Sequence, residues 1–111
     1  MAGKFDLKRS KDGQFFFTLV AGNGEIVGKS EMYKAKASAH NGIESVKKNA
    51  AEGTRFVDSF KGKSGKWYFS LKARNGEVIL SSQGYSSEDA ANGGTGAVQR
   101  AVNGAATNDI S

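Results

Sequence analysis

The run FFFTLVAGNGEIVG, from Phe15 to Gly28, decides the fold. Phe15, Phe17, Leu19 and Ala21 alternate with Phe16, Thr18 and Val20, the period of two that a half-buried strand requires. Asn23-Gly24 follows, and such a pair between apolar runs predicts a hairpin with a type I′ turn, positive in φ at both central residues. In that register Ala21 faces Ile26, Val20 faces Val27 and Leu19 faces Gly28. One face then carries Phe15, Phe17, Leu19 and Ile26 and is the predicted core face. The other carries Phe16, Thr18, Val20, Val27 and Lys29.

Fifty-two residues on, the pattern returns. GQFFFTLVAGNGEIVGKSEMY (Gly13–Tyr33) becomes GKWYFSLKARNGEVILSSQGY (Gly65–Tyr85), and residues 13–50 against 65–102 share 12 identities in 38 positions without a gap. Two copies are too few for a solenoid and predict a duplicated unit packed as a pseudo-dimer. Residues kept in both copies are assigned to the fold. In the second hairpin Trp67, Phe69, Leu71, Val78 and Leu80 form the core face. Tyr68, Ser70, Lys72, Ile79 and Ser81 form the opposite one, and Arg74 is expected to face Glu77 across the turn.

A helix is predicted after each hairpin. Ser38 is the expected cap of the first, with Ala39, Gly42, Ile43, Val46 and Ala50 at helical spacing. Ser86, with Asp89 three residues on, is the expected cap of the second, whose inner stripe is Ala91, Gly94, Thr95, Val98 and Val102. Gly93, Gly94 and Gly96 make that helix the softer of the two. Lys4–Lys8 and Arg55–Lys61 read as further strands, and Ala106–Asp109 as a candidate edge strand in a polar tail.

With 111 residues, the chain has the size of one ordinary domain of two repeats, about 4–54 and 55–111. It has no cysteine, which removes disulfides and thiolate metal sites. No apolar run approaches the roughly 20 residues of a membrane span, and MAGKFDLKRSKDG lacks the apolar stretch of a signal peptide, so a cytoplasmic location is expected. The net charge of +5 is spread evenly, with 9 basic and 6 acidic groups in residues 1–54 and 7 and 5 in residues 55–111. Such a mixed surface is not the concentrated basic stripe of a dedicated nucleic-acid binder.

F-x-L-x-A-x-N-G-E (Phe17–Glu25 and Phe69–Glu77), S-E-M-Y (Ser30–Tyr33) and G-I-E-S-V (Gly42–Val46) resemble the YegP-like family, bacterial proteins with a short, often tandem domain of unknown function. The resemblance covers nearly the whole chain. It implies an α+β fold: two tandem β-β-β-α-β units sharing one antiparallel sheet, both helices on one face, with last strands exchanged so that Arg55–Lys61 serves both copies. It implies no activity, catalytic residue or cofactor. The second copy departs from the pattern at Ser82-Gln83-Gly84-Tyr85 and at Gly94-Thr95-Gly96-Ala97-Val98.

Candidate chemistry is sparse. His40 is the only histidine, and its counterpart is Asn92. No second His, no Cys and no close set of carboxylates offers metal-ligand spacing, so no catalytic, cofactor or metal site is expected and the protein is read as non-enzymatic. AGNGEIVG has closely spaced glycines, but a dinucleotide loop leads from strand into helix, whereas here another strand follows. The remaining feature is the face away from the helices. Phe16, Val20, Val27, Lys29, Tyr68, Lys72 and Ile79 are the candidate binding face of a structural or protein-interaction module. Single-stranded nucleic acid, stacked on the two rings, is the alternative ligand. No membrane partner is expected, and the chain is read as a monomer with an internal pseudo-two-fold.

Overall fold

The alternating runs do become strands, and the two repeats join them in one sheet. In a computed structural model, described here over residues 3–51 and 56–111, the elements follow as β1 (Lys4–Arg9), β2 (Phe15–Val20), β3 (Ile26–Lys29), α1 (Lys36–Ala50), β4 (Phe56–Lys61), β5 (Trp67–Lys72), β6 (Val78–Ser81), α2 (Glu88–Val102) and β7 (Ala106–Asp109). The strand order is β4-β5-β6-β3-β2-β1-β7. The α+β fold is the expected one, with a refinement at one edge: β7 pairs with β1 in parallel, so the sheet is mixed.

At the centre of the sheet, β3 and β6 run antiparallel with Lys29 opposite Ser81. These are equivalent positions of the two copies, so an approximate two-fold passes between them. A two-fold brings residues near its axis close to their own counterparts, which forbids two large side chains there. Gly28 and Leu80 are such counterparts: a Cβ on Gly28 would lie 2.7 Å from Leu80 Cδ2. One copy therefore supplies the leucine and the other the space it fills.

Each hairpin differs from the sequence expectation in one respect that matters. Gly24 N–H donates to the Ala21 carbonyl (2.9 Å) and Ala21 N–H to the Glu25 carbonyl (2.8 Å), so Gly22 and Asn23 are the central turn residues. Only Gly24 takes positive φ (89°), as does Gly76 (88°) in the second copy, and no described non-glycine residue does. This is a three-residue loop closed by a glycine bulge, not a two-residue type I′ turn. Asn23 serves through its side chain, Oδ1 accepting from Glu25 N–H at 3.0 Å, and Asn75 does the same for Glu77. Arg74 lies in the turn, and Ala73, rather than Arg74, bonds Glu77.

The extra residue shifts the pairing beyond Leu19, so that Val20 faces Ile26, and beyond Leu71, so that Lys72 faces Val78. A slip of one residue exchanges the faces. Ile26 is 38 % exposed, whereas Val27 (6 %) and Ile79 (7 %) join the hydrophobic core. The assignments of Ile26 and Val78 to the core face, and of Val27 and Ile79 to the open face, are corrected accordingly.

The rest of the core lies between the sheet and both helices: Phe5, Leu7, Phe17, Leu19, Phe69, Leu71 and Leu80 from strands, Ala39, Ile43, Val46, Ala91 and Val98 from helices. Tyr33 stacks on Phe17 with centroids 6.2 Å apart and planes 12° apart; Tyr85 stacks on Phe69 at 6.1 Å and 24°. Each tyrosine enters beneath a helix because that helix has a glycine there. A Cβ on Gly42 would meet Tyr33 Oη, with Cζ at 2.8 Å; one on Gly94 would meet Tyr85 Oη, with Cζ at 2.7 Å. Backbone pairs hold the tyrosines in place, Phe15 with Tyr33 (2.7 Å both ways) and Trp67 with Tyr85 (2.8 Å both ways). Ser30 Oγ accepts from Phe17 N–H and Ser82 Oγ from Phe69 N–H, each at 2.9 Å, continuing the ladder where β3 and β6 end.

The helix starts also move. The cap of α1 is Ala35, with no side-chain hydrogen bond, not Ser38. For α2 it is Ser87, whose Oγ accepts from Ala90 N–H, not Ser86. The inner stripes are nearly as predicted, with Ala101 buried and Val102 half-buried in α2.

The copies are interlaced. Ala73, Arg74 and Asn75, at the tip of the second hairpin, lie beside Asn41, Glu44, Ser45 and Lys48 of α1. Ala21, Gly22 and Asn23 lie beside Ala97, Arg100 and Ala101 of α2. Gln99 Nε2 donates to the Ala50 carbonyl (2.9 Å), joining the helices. The strand expected to serve both copies, Arg55–Lys61, forms the sheet edge as Phe56–Lys61, following α1 of the first copy and pairing with β5 of the second; Arg55 and the 54/55 repeat boundary lie outside the described residues. The last strand of the second copy, β7, crosses to β1 of the first at the other edge, as the exchange of last strands requires, with Lys36 Nζ 2.9 Å from Asp109 Oδ2 tethering it to α1.

Two predictions follow from this packing. Gly93→Ala meets no atom within 4 Å and relieves the helical cost of glycine, so it should stabilise by about 0.5–1 kcal/mol. Gly94→Ala, one residue on, should destabilise by about 1–3 kcal/mol through overpacking on Tyr85 and Phe69. Urea unfolding of the two variants checks the opposite signs. The second concerns alkaline pH. Burial, then the charges of Glu31 and Glu77, raise the Tyr33 phenol above its usual value near 10; burial, then Glu25, raise that of Tyr85. The unfolded chain then loses these protons first, so stability is full below about pH 10 and declines above it. Tyr33→Phe/Tyr85→Phe should make that decline shallower when urea midpoints are compared across pH.

Candidate functional site

Because the helices cover one side, the other side of the sheet is left as an open face. In β1 Phe5 and Leu7 are buried in the core, so Lys4, Asp6 and Lys8 turn to the open side. Strand pairing sets Asp6 beside Thr18, Thr18 beside Lys29, Lys29 beside Ser81 and Ser81 beside Ser70, a polar row across both copies. Phe16 lies one step along β2 beside Lys8, and Tyr68 lies on β5.

Of the seven residues expected on this face, four take their places there. Phe16 and Tyr68 are half-buried, Lys72 is half-buried and Lys29 is exposed. Val27 and Ile79 are withdrawn into the core by the glycine bulges, and Val20 is buried, outside the core cluster. Phe16 and Tyr68 are not neighbours. Their strands are separated by β3 and β6, which puts three spacings, about 14 Å, between the strands, and the two rings lie on opposite sides of the polar row.

The first copy's end of the face is the more developed. Lys8, Phe16, Thr18, Ile26 and Lys29 of the first copy, with Ser81, Ser82 and Gln83 of the second, line an open depression of about 390 Å³. Lys29 Nζ stands 5.0 Å from the Phe16 ring centroid, a cation–π contact that holds the ammonium over the depression. Thr18 is only 4 % exposed, and its Oγ1 has no hydrogen-bond partner among the described residues. Ser82 Oγ is already engaged, accepting from Phe69 N–H and donating to the Gln83 carbonyl (2.9 Å). Lys4 lies 3.7 Å from Asp6, whose Oδ1 also accepts from Asn108 Nδ2 at 3.1 Å.

Lys8, Thr18, Ser81 and Gln83 were absent from the expected set. The alternation Phe5-Asp6-Leu7-Lys8 carries the signal that places Lys8 beside Phe16. Ser81 and Gln83 join only through the β3–β6 pairing, which no local pattern encodes.

Elsewhere, His40 is exposed on α1. Among the described residues, no three His, Cys, Asp or Glu side chains are grouped to hold a metal ion, and no helix is long and apolar enough to cross a membrane.

A profile described as "Domain of unknown function (DUF1508)" matches the chain twice, over residues 10–56 and 63–109. The UPF0339 protein PA0329 of Pseudomonas aeruginosa is 50% identical over all of both chains. The UPF0339 protein ACIAD0721 of Acinetobacter baylyi is 46% identical over 99% of this chain and 98% of its own. Two solution NMR structures, each 40% identical, share the fold. The UPF0339 protein SO3888 of Shewanella oneidensis has a TM-score of 0.89 over 99% of this chain and 92% of that one. The protein of unknown function yegP of E. coli has a TM-score of 0.90 over 99% and 94%. With both repeats matched and relatives aligned along its whole length, the chain belongs to the DUF1508 family, the UPF0339 or YegP-like proteins, for which these relatives carry no named catalytic function.

Proposed function

We propose that the protein is a non-catalytic interaction module whose open sheet face binds an acidic protein partner. The observation that carries this is the charge of that face. Among the described residues, Lys4, Lys8, Lys29 and Lys72 lie on its strands against one strand carboxylate, Asp6, with Glu31 beyond the end of β3, so the uncovered side of the sheet is net cationic while the overall surface is mixed. Charge complementarity of this kind steers association and selects partners. Phe16 and Tyr68 add half-buried aromatic area of the type that anchors interfaces. His40, exposed and replaced by Asn92 in the other copy, fits a chain without acid–base machinery of its own.

Single-stranded nucleic acid is the alternative occupant of the same face. Successive bases stack on rings much closer together than Phe16 and Tyr68, whose strands alone are about 14 Å apart, and Lys29 already stands over Phe16. The arrangement therefore favours an acidic polypeptide.

Immobilised wild-type protein and a Phe16→Ser/Tyr68→Ser variant, each exposed to bacterial lysate at low salt, test the proposal. The expected result is a set of acidic proteins held by the wild type and lost from the variant. Identical sets contradict it. Retention abolished by nuclease, with labelled single-stranded DNA binding at about 50 mM salt and weakening at about 200 mM, assigns the face to nucleic acid instead.

A further inference from the structure

We infer that the depression around Thr18 is a carboxylate-recognition site, and that its occupant is an acidic side chain of the protein partner. The inference rests on the function proposed above and locates the contact within the face. A buried hydroxyl without a partner costs stability, and Thr18 Oγ1 is such a group on the wall of this depression. Lys8 and Lys29 flank it, and among the described residues neither pairs with a carboxylate. Hydroxyl and amide donors at Ser81 and Gln83 complete the rim. Two ammonium groups and neutral donors around one small concavity are the complement of a carboxylate, which only accepts hydrogen bonds.

The second copy supplies an internal control. The pseudo-two-fold generates a matching location around Ser70, where Tyr68 replaces Phe16 and Val78 replaces Ile26. There, Phe60 stands opposite Tyr68 as Lys8 stands opposite Phe16, Ser81 takes the place of Lys29, and Glu31 takes the place of Gln83. Lys8 has no lysine counterpart there and Lys29 now stands where Ser81 stood, so one lysine remains instead of two, and a carboxylate has been added. Repulsion between like charges directly across β3 and β6 explains why Lys29 faces Ser81 and not a second lysine. It does not explain why Lys8 and Gln83 collect at the same end, away from Phe60 and Glu31. The features that build the fold occur in both copies, whereas the depression with two lysines and no carboxylate occurs in one.

An NMR titration of isotope-labelled full-length protein with an acetylated hexaglutamate peptide tests the site. Saturable shifts centred on Thr18, Lys29, Ser81 and Gln83 are expected. Lys29→Ser, which installs the second copy's own residue, should weaken binding roughly fivefold, while Lys72→Ser changes it little. Thr18→Val should weaken binding and also raise Tm, because it deletes the unpartnered hydroxyl at constant shape. The amide spectra of the variants report directly that each remains folded. Shifts centred on Tyr68 and Lys72 overturn this site while leaving the acidic-partner function standing, and the lack of any saturable shift overturns both. Thr18→Val that binds like the wild type removes Thr18 from the site. Sodium acetate saturating the same residues as tightly as the peptide makes it a small-anion site and overturns the assignment of its occupant.

Discussion

The stack of a tyrosine on a strand phenylalanine, slid beneath a helical glycine, is the constraint on which the rest of the molecule depends. Tyr33 can lie on Phe17 only because Gly42 presents no Cβ, and Tyr85 on Phe69 only because Gly94 presents none. Each wedge fixes how closely a helix approaches the sheet and on which side. Both helices therefore cover the same face, and the opposite one stays open. The interlacing of hairpin tips with the other copy's helix, and the β3–β6 and β7–β1 pairings, then join the wedges into one sheet.

Duplication under a pseudo-two-fold has a second consequence. Positions near the axis meet their own counterparts, so identity is penalised there and divergence is required: Gly28 makes room for Leu80, and Lys29 faces Ser81. Away from the axis the fold tolerates identity, as in the turn asparagines, the ladder serines and the wedge residues. Divergence far from the axis, as at Lys8 and Gln83, has no such steric reason, and Lys8 there joins Lys29 to give the depression its second positive charge.

Much of the architecture was legible in the sequence because its determinants are local. Alternation at Phe15–Val20, the Asn-Gly pairs and the helical stripes give strands, hairpins and helices in the right order. Where the expectation failed, the deciding contact was either one hydrogen bond away or far along the chain. Asn23 signals a turn whether it contributes positive φ or a side-chain acceptor, but the two geometries differ by one residue of register, and that residue moved Val27 and Ile79 from the open face into the core. Ser86 and Ser87 are equally good caps by type, and only backbone geometry selects Ser87. The long-range pairings have no local signal: β7 on β1 spans the whole chain, and the exchange of last strands came from the family resemblance and not from the residues of either strand. The depression around Thr18 was invisible for the same reason, since three of its eight lining residues, Ser81, Ser82 and Gln83, arrive through the β3–β6 pairing.

The central claim is that the two wedges belong to one cooperative body. Trp67, the only tryptophan, lies in the second copy, whereas Gly42 lies in the first, so a Gly42→Ala variant can be read at a distance. Urea unfolding followed by Trp67 fluorescence and by far-ultraviolet circular dichroism should give coincident transitions in the wild type. In the variant both should move to lower denaturant by the same amount. A Trp67 transition that stays in place while the circular dichroism splits into two steps would mean that the repeats fold separately, and would contradict the account.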